Sequence, residues 1–80
     1  MVRDFKSEDK GKRVVTANGD MVGEIDRASG SSAHVMPDED LSRSIRRRLG
    51  WSEEGQKTYS LQKSKIDRIT NDEIRLKKDL

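Results

Sequence analysis

The dipeptide Asn18-Gly19, set between residues 12–17 (KRVVTA) and 20–26 (DMVGEID), constrains this chain more than any other feature. Asn-Gly readily takes the positive φ values of a two-residue type I′ turn, so the flanking runs read as the strands of a β-hairpin. In the second run Val22 and Ile25 lie three apart, and strict alternation breaks at Gly23. A bulge or sharp bend there reconciles them, as a strand coiling into a small barrel requires.

The remaining punctuation fits the same plan. Residues 7–10 can form one helical turn stopped by Gly11, and residues 27–32 (RASGSS) make a turn. A short third strand (33–36) ends at Pro37. Residues 38–49 (DEDLSRSIRRRL) read as the one helix, with Asp38 as N-cap, acids in the first turn, arginines in the last and Gly50 as the left-handed stop. Leu41, Ile45 and Leu49 form a narrow apolar stripe on which Trp51 folds back. After a loop at 52–57 come three more strands (58–62, 65–69, 73–77), with Asn71-Asp72 turning between the last two. Short strands this closely spaced suit a barrel or sandwich, and 80 residues are too few for a two-sheet sandwich. The expected fold is all-β: a small barrel of about six short strands, with the helix (38–49) between the third and fourth packed across an open end. It forms one domain, residues 1–80, with an ordered core over about 5–77.

Composition limits stability and chemistry. Val, Ile, Leu and Phe number only 16 of 80 residues, but 17 bases nearly cancel 15 acids, leaving a net charge of +2. Such a chain folds yet is marginal as a monomer, and self-association would add buried surface. Without cysteine there is no disulfide, thiolate metal site or thiol nucleophile. Apolar runs of two or three residues exclude a membrane span or secretory segment, so a cytoplasmic location is expected.

Three segments carry a family likeness. Gly11-Lys12-Arg13-Val14-Val15 with Asn18-Gly19-Asp20-Met21-Val22-Gly23-Glu24-Ile25 resembles the opening of PRC-barrel domains. Residues 66–76 (IDRITNDEIRL) resemble the closing motif of that family. His34-Val35-Met36-Pro37-Asp38 and Ile45-Arg46-Arg47-Arg48-Leu49-Gly50-Trp51 are similar to the short stand-alone PRC-barrel proteins of haloarchaea. The resemblance implies a PRC-type barrel that docks to a larger assembly, as do the reaction-centre H subunit and the ribosome-maturation factor RimM. For the haloarchaeal proteins it implies cell division, with a SepF-like anchor of the FtsZ ring or another PRC-barrel protein as partner. The charge balance departs from that group. Asp (nine) exceeds Glu (six) in halophile-like fashion, yet eight Lys and nine Arg make the surface slightly basic. Either the source is not an extreme halophile, or acidic surface positions have been exchanged for basic ones.

The sharpest candidate site is the cluster Arg43, Arg46, Arg47 and Arg48, which suits an acidic partner surface or phosphates. The plainer alternative is that these arginines complement the helix dipole and pair with Asp38, Glu39 and Asp40 or with Glu53 and Glu54. Trp51 and Tyr59, with Met36 and Leu41, form a candidate aromatic interaction surface, or else Trp51 caps the helix against the barrel. Glu73, Ile74, Arg75 and Leu76 are a candidate edge for homodimerisation. His34 has no nucleophile near it in sequence, and the consecutive acids 38–40 do not form a calcium loop, so no catalytic residue, metal or cofactor is expected. So small a barrel also leaves little room for a pocket of a few hundred Å³. The function expected is a non-catalytic protein–protein adaptor. An RNA- or ribosome-associated module using Arg43–Arg48 is the alternative, weakened by having only three scattered aromatics as stacking platforms.

Overall fold

The apolar run before Asn18-Gly19 and the run after it pair as the sequence indicates. In the computed structural model, which describes residues 3–51 and 57–78, β1 (Arg13–Val15) and β2 (Met21–Ser29) are antiparallel. The turn between them is not type I′. Thr16 N–H donates to Asp20 O at 2.9 Å and Gly19 N–H to Thr16 O at 2.9 Å, and only Gly19 of the dipeptide has positive φ (91°). The left-handed backbone is thus confined to glycine, which enters it without a Cβ penalty, in a three-residue loop that ends on a glycine.

Gly23 behaves as expected. Val14 faces Gly23 and Val15 faces Met21, so Val22 is the extra residue of a bulge. A Cβ on Gly23 would drive into the carbonyl oxygen of Met36 on the neighbouring strand. A second irregularity falls between Ile25 and Arg27. Bulges of this kind increase twist and let a short sheet curl.

β3 (Ser32–Pro37) pairs antiparallel with β2 on one side and with β4 (Tyr59–Gln62) on the other. β5 (Ile66–Ile69) and β6 (Glu73–Leu76) form a hairpin, in which Thr70 N–H donates to Glu73 O at 2.9 Å. β6 then lies parallel to β1, with Val14 opposite Ile74, giving the order β4-β3-β2-β1-β6-β5. The result is a mostly-β fold: one six-stranded sheet curled into a half-barrel.

This order corrects one expectation. Glu73, Ile74, Arg75 and Leu76 are not a free edge, because β6 is bonded to β1 and β5 on its two sides. The Asn71-Asp72 turn identifies a hairpin but not which of its strands the first strand will join. The true edges, β4 and β5, are consecutive in the chain and joined by the 3-10 turn Lys63–Lys65. That turn is tied to the sheet at both ends, by Lys63 N–H to Ser31 O (2.9 Å) and Lys77 N–H to Lys65 O (3.0 Å).

Alternation along each strand fills the concave face. Ala33 and Val35, Tyr59 and Leu61, and Ile74 and Leu76 point inward to join Val14, Val22, Ile25 and Ile66. Each fully buried Val, Ile or Leu among them contributes about 1.5–3 kcal/mol. Phe5 closes one end, its N–H bonded to Gly30 O at 2.8 Å.

The helix, α1 (Arg43–Leu49), starts later than the sequence suggests. Asp38 does not cap it. The Asp38 N–H is committed to Val22 O (2.8 Å), its carboxylate accepts Asp40 N–H (3.3 Å), and its carbonyl accepts Leu41 N–H (3.2 Å). Aspartate thereby closes its own turn in competition with the helix. Ser42 is the cap, its Oγ accepting Ile45 N–H at 3.3 Å. Leu49 is buried, and Leu41 and Ile45 pack partly against the core, so the apolar stripe forms although Leu41 precedes the helix.

Candidate functional site

The C-terminal end of α1 determines what the helix shows to solvent. Gly50, at φ 78°, donates to Arg47 O (3.1 Å), and Trp51 N–H donates to Arg46 O (2.9 Å). This is the paired closure of a Schellman motif, and it turns Trp51 back toward the sheet. Trp51 stacks on Tyr59 and its Nε1–H donates to Ser60 O at 3.0 Å. Arg46 lies over the Tyr59 ring, with Cζ 5.5 Å from its centroid, and donates a 2.7 Å hydrogen bond to the Tyr59 hydroxyl.

Trp51 and Tyr59 are consequently not partner-binding surface. They are 4% and 5% exposed and belong to the core, so Trp51 caps the helix against the sheet. A chain with so few large apolar groups draws both aromatics inside. Arg46 is engaged with them, which removes it from the free cluster.

Arg43, Arg47 and Arg48 are exposed. Among the described residues none of them is in an ion pair with an acidic side chain, Asp38, Glu39 and Asp40 included. Glu53 and Glu54 lie outside the described residues. Because the helix begins only at Arg43, Glu39 is not a helical i, i+4 neighbour of that arginine, and the pairing the sequence offers does not form. Arginines 46–48 still occupy the last turn, where they complement the carbonyl end of the dipole.

Beside α1 runs a groove with a methionine floor. Met36, 51% exposed, is the one large hydrophobic side chain exposed among the described residues. Two adjoining concavities of about 480 and 250 Å³ share Met21 and Asp38. Ile45 lines one and Met36 with Pro37 the other. The rim carries Asp20, Glu24, Glu39 and Asp40, none of them ion-paired among the described residues. Concavities of a few hundred Å³ thus do exist on this small fold, on its outer surface. His34 sits exposed on β3, opposite Ser60. No three His, Asp or Glu side chains among the described residues converge to hold a metal. No helix among them is long and apolar enough to cross a membrane.

Sequence reasoning missed one cluster entirely. Asp9, in the 3-10 turn Ser7–Asp9, is 0% exposed. Its carboxylate receives two 2.9 Å bonds from Arg3, one of 2.8 Å from Lys12 Nζ and one of 2.9 Å from Lys6 N–H. The Arg3 guanidinium above all, then Lys12 and the Lys6 amide, hold this carboxyl far below the usual range against the opposing effect of burial. Lys12 also bonds Thr70 O at 2.8 Å, linking the N-terminal segment to the β5–β6 hairpin. In a chain with 15 acids nothing local marks Asp9 as buried. The cluster fastens structure and offers no open position to a ligand.

Fold and surface together define a small mostly-β half-barrel whose polar features are an arginine-bearing helix and an acidic, methionine-floored groove. The chain belongs to a family of unknown function (DUF8593), whose profile matches residues 5–76. No curated protein and no solved structure matches it.

Proposed function

We propose that this protein is a non-catalytic docking module that binds an acidic surface of a protein partner through the exposed face of α1. The observation that carries the reading is the exposed set Arg43, Arg47 and Arg48, in no ion pair among the described residues, on a helix pinned by Trp51 and Tyr59. A rigid helix presents its arginines with little further loss of freedom, which favours specific docking.

The PRC-barrel resemblance supplies the finer reading: a PRC-type barrel serving a cytoplasmic assembly, with a SepF-like division protein as first candidate partner. A nucleic-acid role is the weaker alternative. Phe5, Trp51 and Tyr59 are all buried, so no aromatic platform is left for bases. Affinity capture with the tagged protein, with and without nuclease, tests the choice. Protein that stays bound after nuclease supports the adaptor. Release by nuclease, together with affinity for RNA that falls steeply with salt, overturns it.

A further inference from the structure

We infer that α1 and the acidic turn before it form a self-complementary strip through which two copies of this chain pair about a two-fold axis. The inference rests on reading α1 as a docking face, and it names one partner for that face.

Charge along residues 38–48 is antisymmetric. Asp38-Glu39-Asp40 stand at the start and Arg47-Arg48 at the end, with Arg46 turned to Tyr59. Two identical strips laid antiparallel bring each acidic end against the other's basic end, whereas a parallel arrangement sets like against like. A two-fold contact uses the same patch on both subunits and can align the strips antiparallel. Within one copy neither end is neutralised: the three acids and Arg43, Arg47 and Arg48 take part in no ion pair among the described residues. The late start of α1 maintains this separation, since a helix begun at Asp38 would have paired Glu39 with Arg43 on its own surface.

The floor of the groove suits the same occupant. Met21 and the exposed Met36 lie directly beside Asp38. Methionine adapts to irregular surfaces, and arginine carries a three-carbon stem that covers apolar area while its head reaches a carboxylate. With a net charge of +2, two copies approach without strong overall repulsion. The pairing is therefore weak and salt-sensitive.

The test uses the pure full-length protein in sedimentation equilibrium, at low salt and up to high micromolar concentration. The expected result is a monomer–dimer equilibrium that shifts to monomer in high salt. Two variants confined to exposed positions, Arg47→Asp/Arg48→Asp and Glu39→Lys/Asp40→Lys, each weaken the dimer at least about tenfold. Mixed in equal amounts they form a heterodimer, because a strip with acids at both ends then meets one that is mostly basic. Circular dichroism establishes that both variants are folded. A wild type that stays monomeric throughout, or single variants that dimerise like wild type, overturns the inference. Monomeric wild type whose partner capture still depends on Arg47 and Arg48 sinks the dimer and spares the docking reading. A charge-swap dimer with capture indifferent to those arginines does the reverse.

Discussion

Trp51 and Tyr59 stack with ring centroids 5.2 Å apart and planes inclined by 18°, and this contact joins the end of α1 to the first residue of β4. Removing the indole leaves a cavity under the helix and an unbonded Ser60 carbonyl. Trp51→Ala is expected to cost about 3–5 kcal/mol in urea denaturation. Tyr59→Phe keeps the ring but loses the Arg46 bond, for about 1 kcal/mol. Normal stability of Trp51→Ala with lost association would instead make Trp51 an interface residue.

Gly23 is required by space, and Gly50 by backbone conformation. An added Cβ at Gly23 meets the Met36 main chain, which cannot rotate away, so Gly23→Ala should cost about 1–3 kcal/mol and weaken the β2–β3 pairing. Gly50→Ala meets no atom within 4 Å and is penalised only for its φ of 78°, by about 1–2 kcal/mol. Amide exchange separates the two effects: accelerated exchange in β3 follows the first, and fraying of the last turn of α1 follows the second.

Asp9 makes stability dependent on acid pH. Its folded pKa is depressed, so its contribution is complete above the unfolded value of 3.8 and is lost as pH falls below that value toward the folded one. Asp9→Asn should cost about 3 kcal/mol near neutral pH, since Lys12 is left largely buried without its counter-ion. The variant should also lose much of the decline in melting temperature between about pH 4 and pH 2. An unchanged acid profile in Asp9→Asn would show that other carboxylates control acid unfolding.

The two competing caps give a simple contrast. Ser42→Ala removes the oxygen that accepts Ile45 N–H and is expected to cost about 1 kcal/mol. Asp38→Ala leaves that bond intact and should cost less, since its carboxylate accepts only the 3.3 Å bond from Asp40 N–H. The reverse ranking in thermal melts would place the helix start at Asp38.

Much of this architecture is legible before any coordinates. Asn18-Gly19, Gly23, Pro37 and Gly50 mark strand ends, a bulge and a helix stop through backbone requirements that depend on one or two residues. The alternation of Ile74 and Leu76, or Tyr59 and Leu61, gives the inward face for the same local reason. What escapes is whatever depends on spatial order. That β6 lies inside the sheet, that Asp9 is buried, and that Trp51 and Tyr59 meet are settled by which strands become neighbours. Short, similarly patterned strands do not encode that locally. The helix start is ambiguous in the sequence because Asp38 and Ser42 are both good caps; in the structure Asp38 closes a separate turn with Asp40 and Leu41, and Ser42 accepts Ile45 N–H.

On the proposed function, the exposed arginines of α1 are the working surface, while Leu49 and Ile45 on the other side of the helix pack against the core. Reversing Arg43, Arg47 and Arg48 to glutamate together, then measuring melting temperature and partner capture on the same sample, tests that function most directly. The variant should stay folded, losing about 1–2 kcal/mol because acids replace bases at the carbonyl end of the helix, and capture should be abolished. A folded variant that still captures the same partner would contradict this reading.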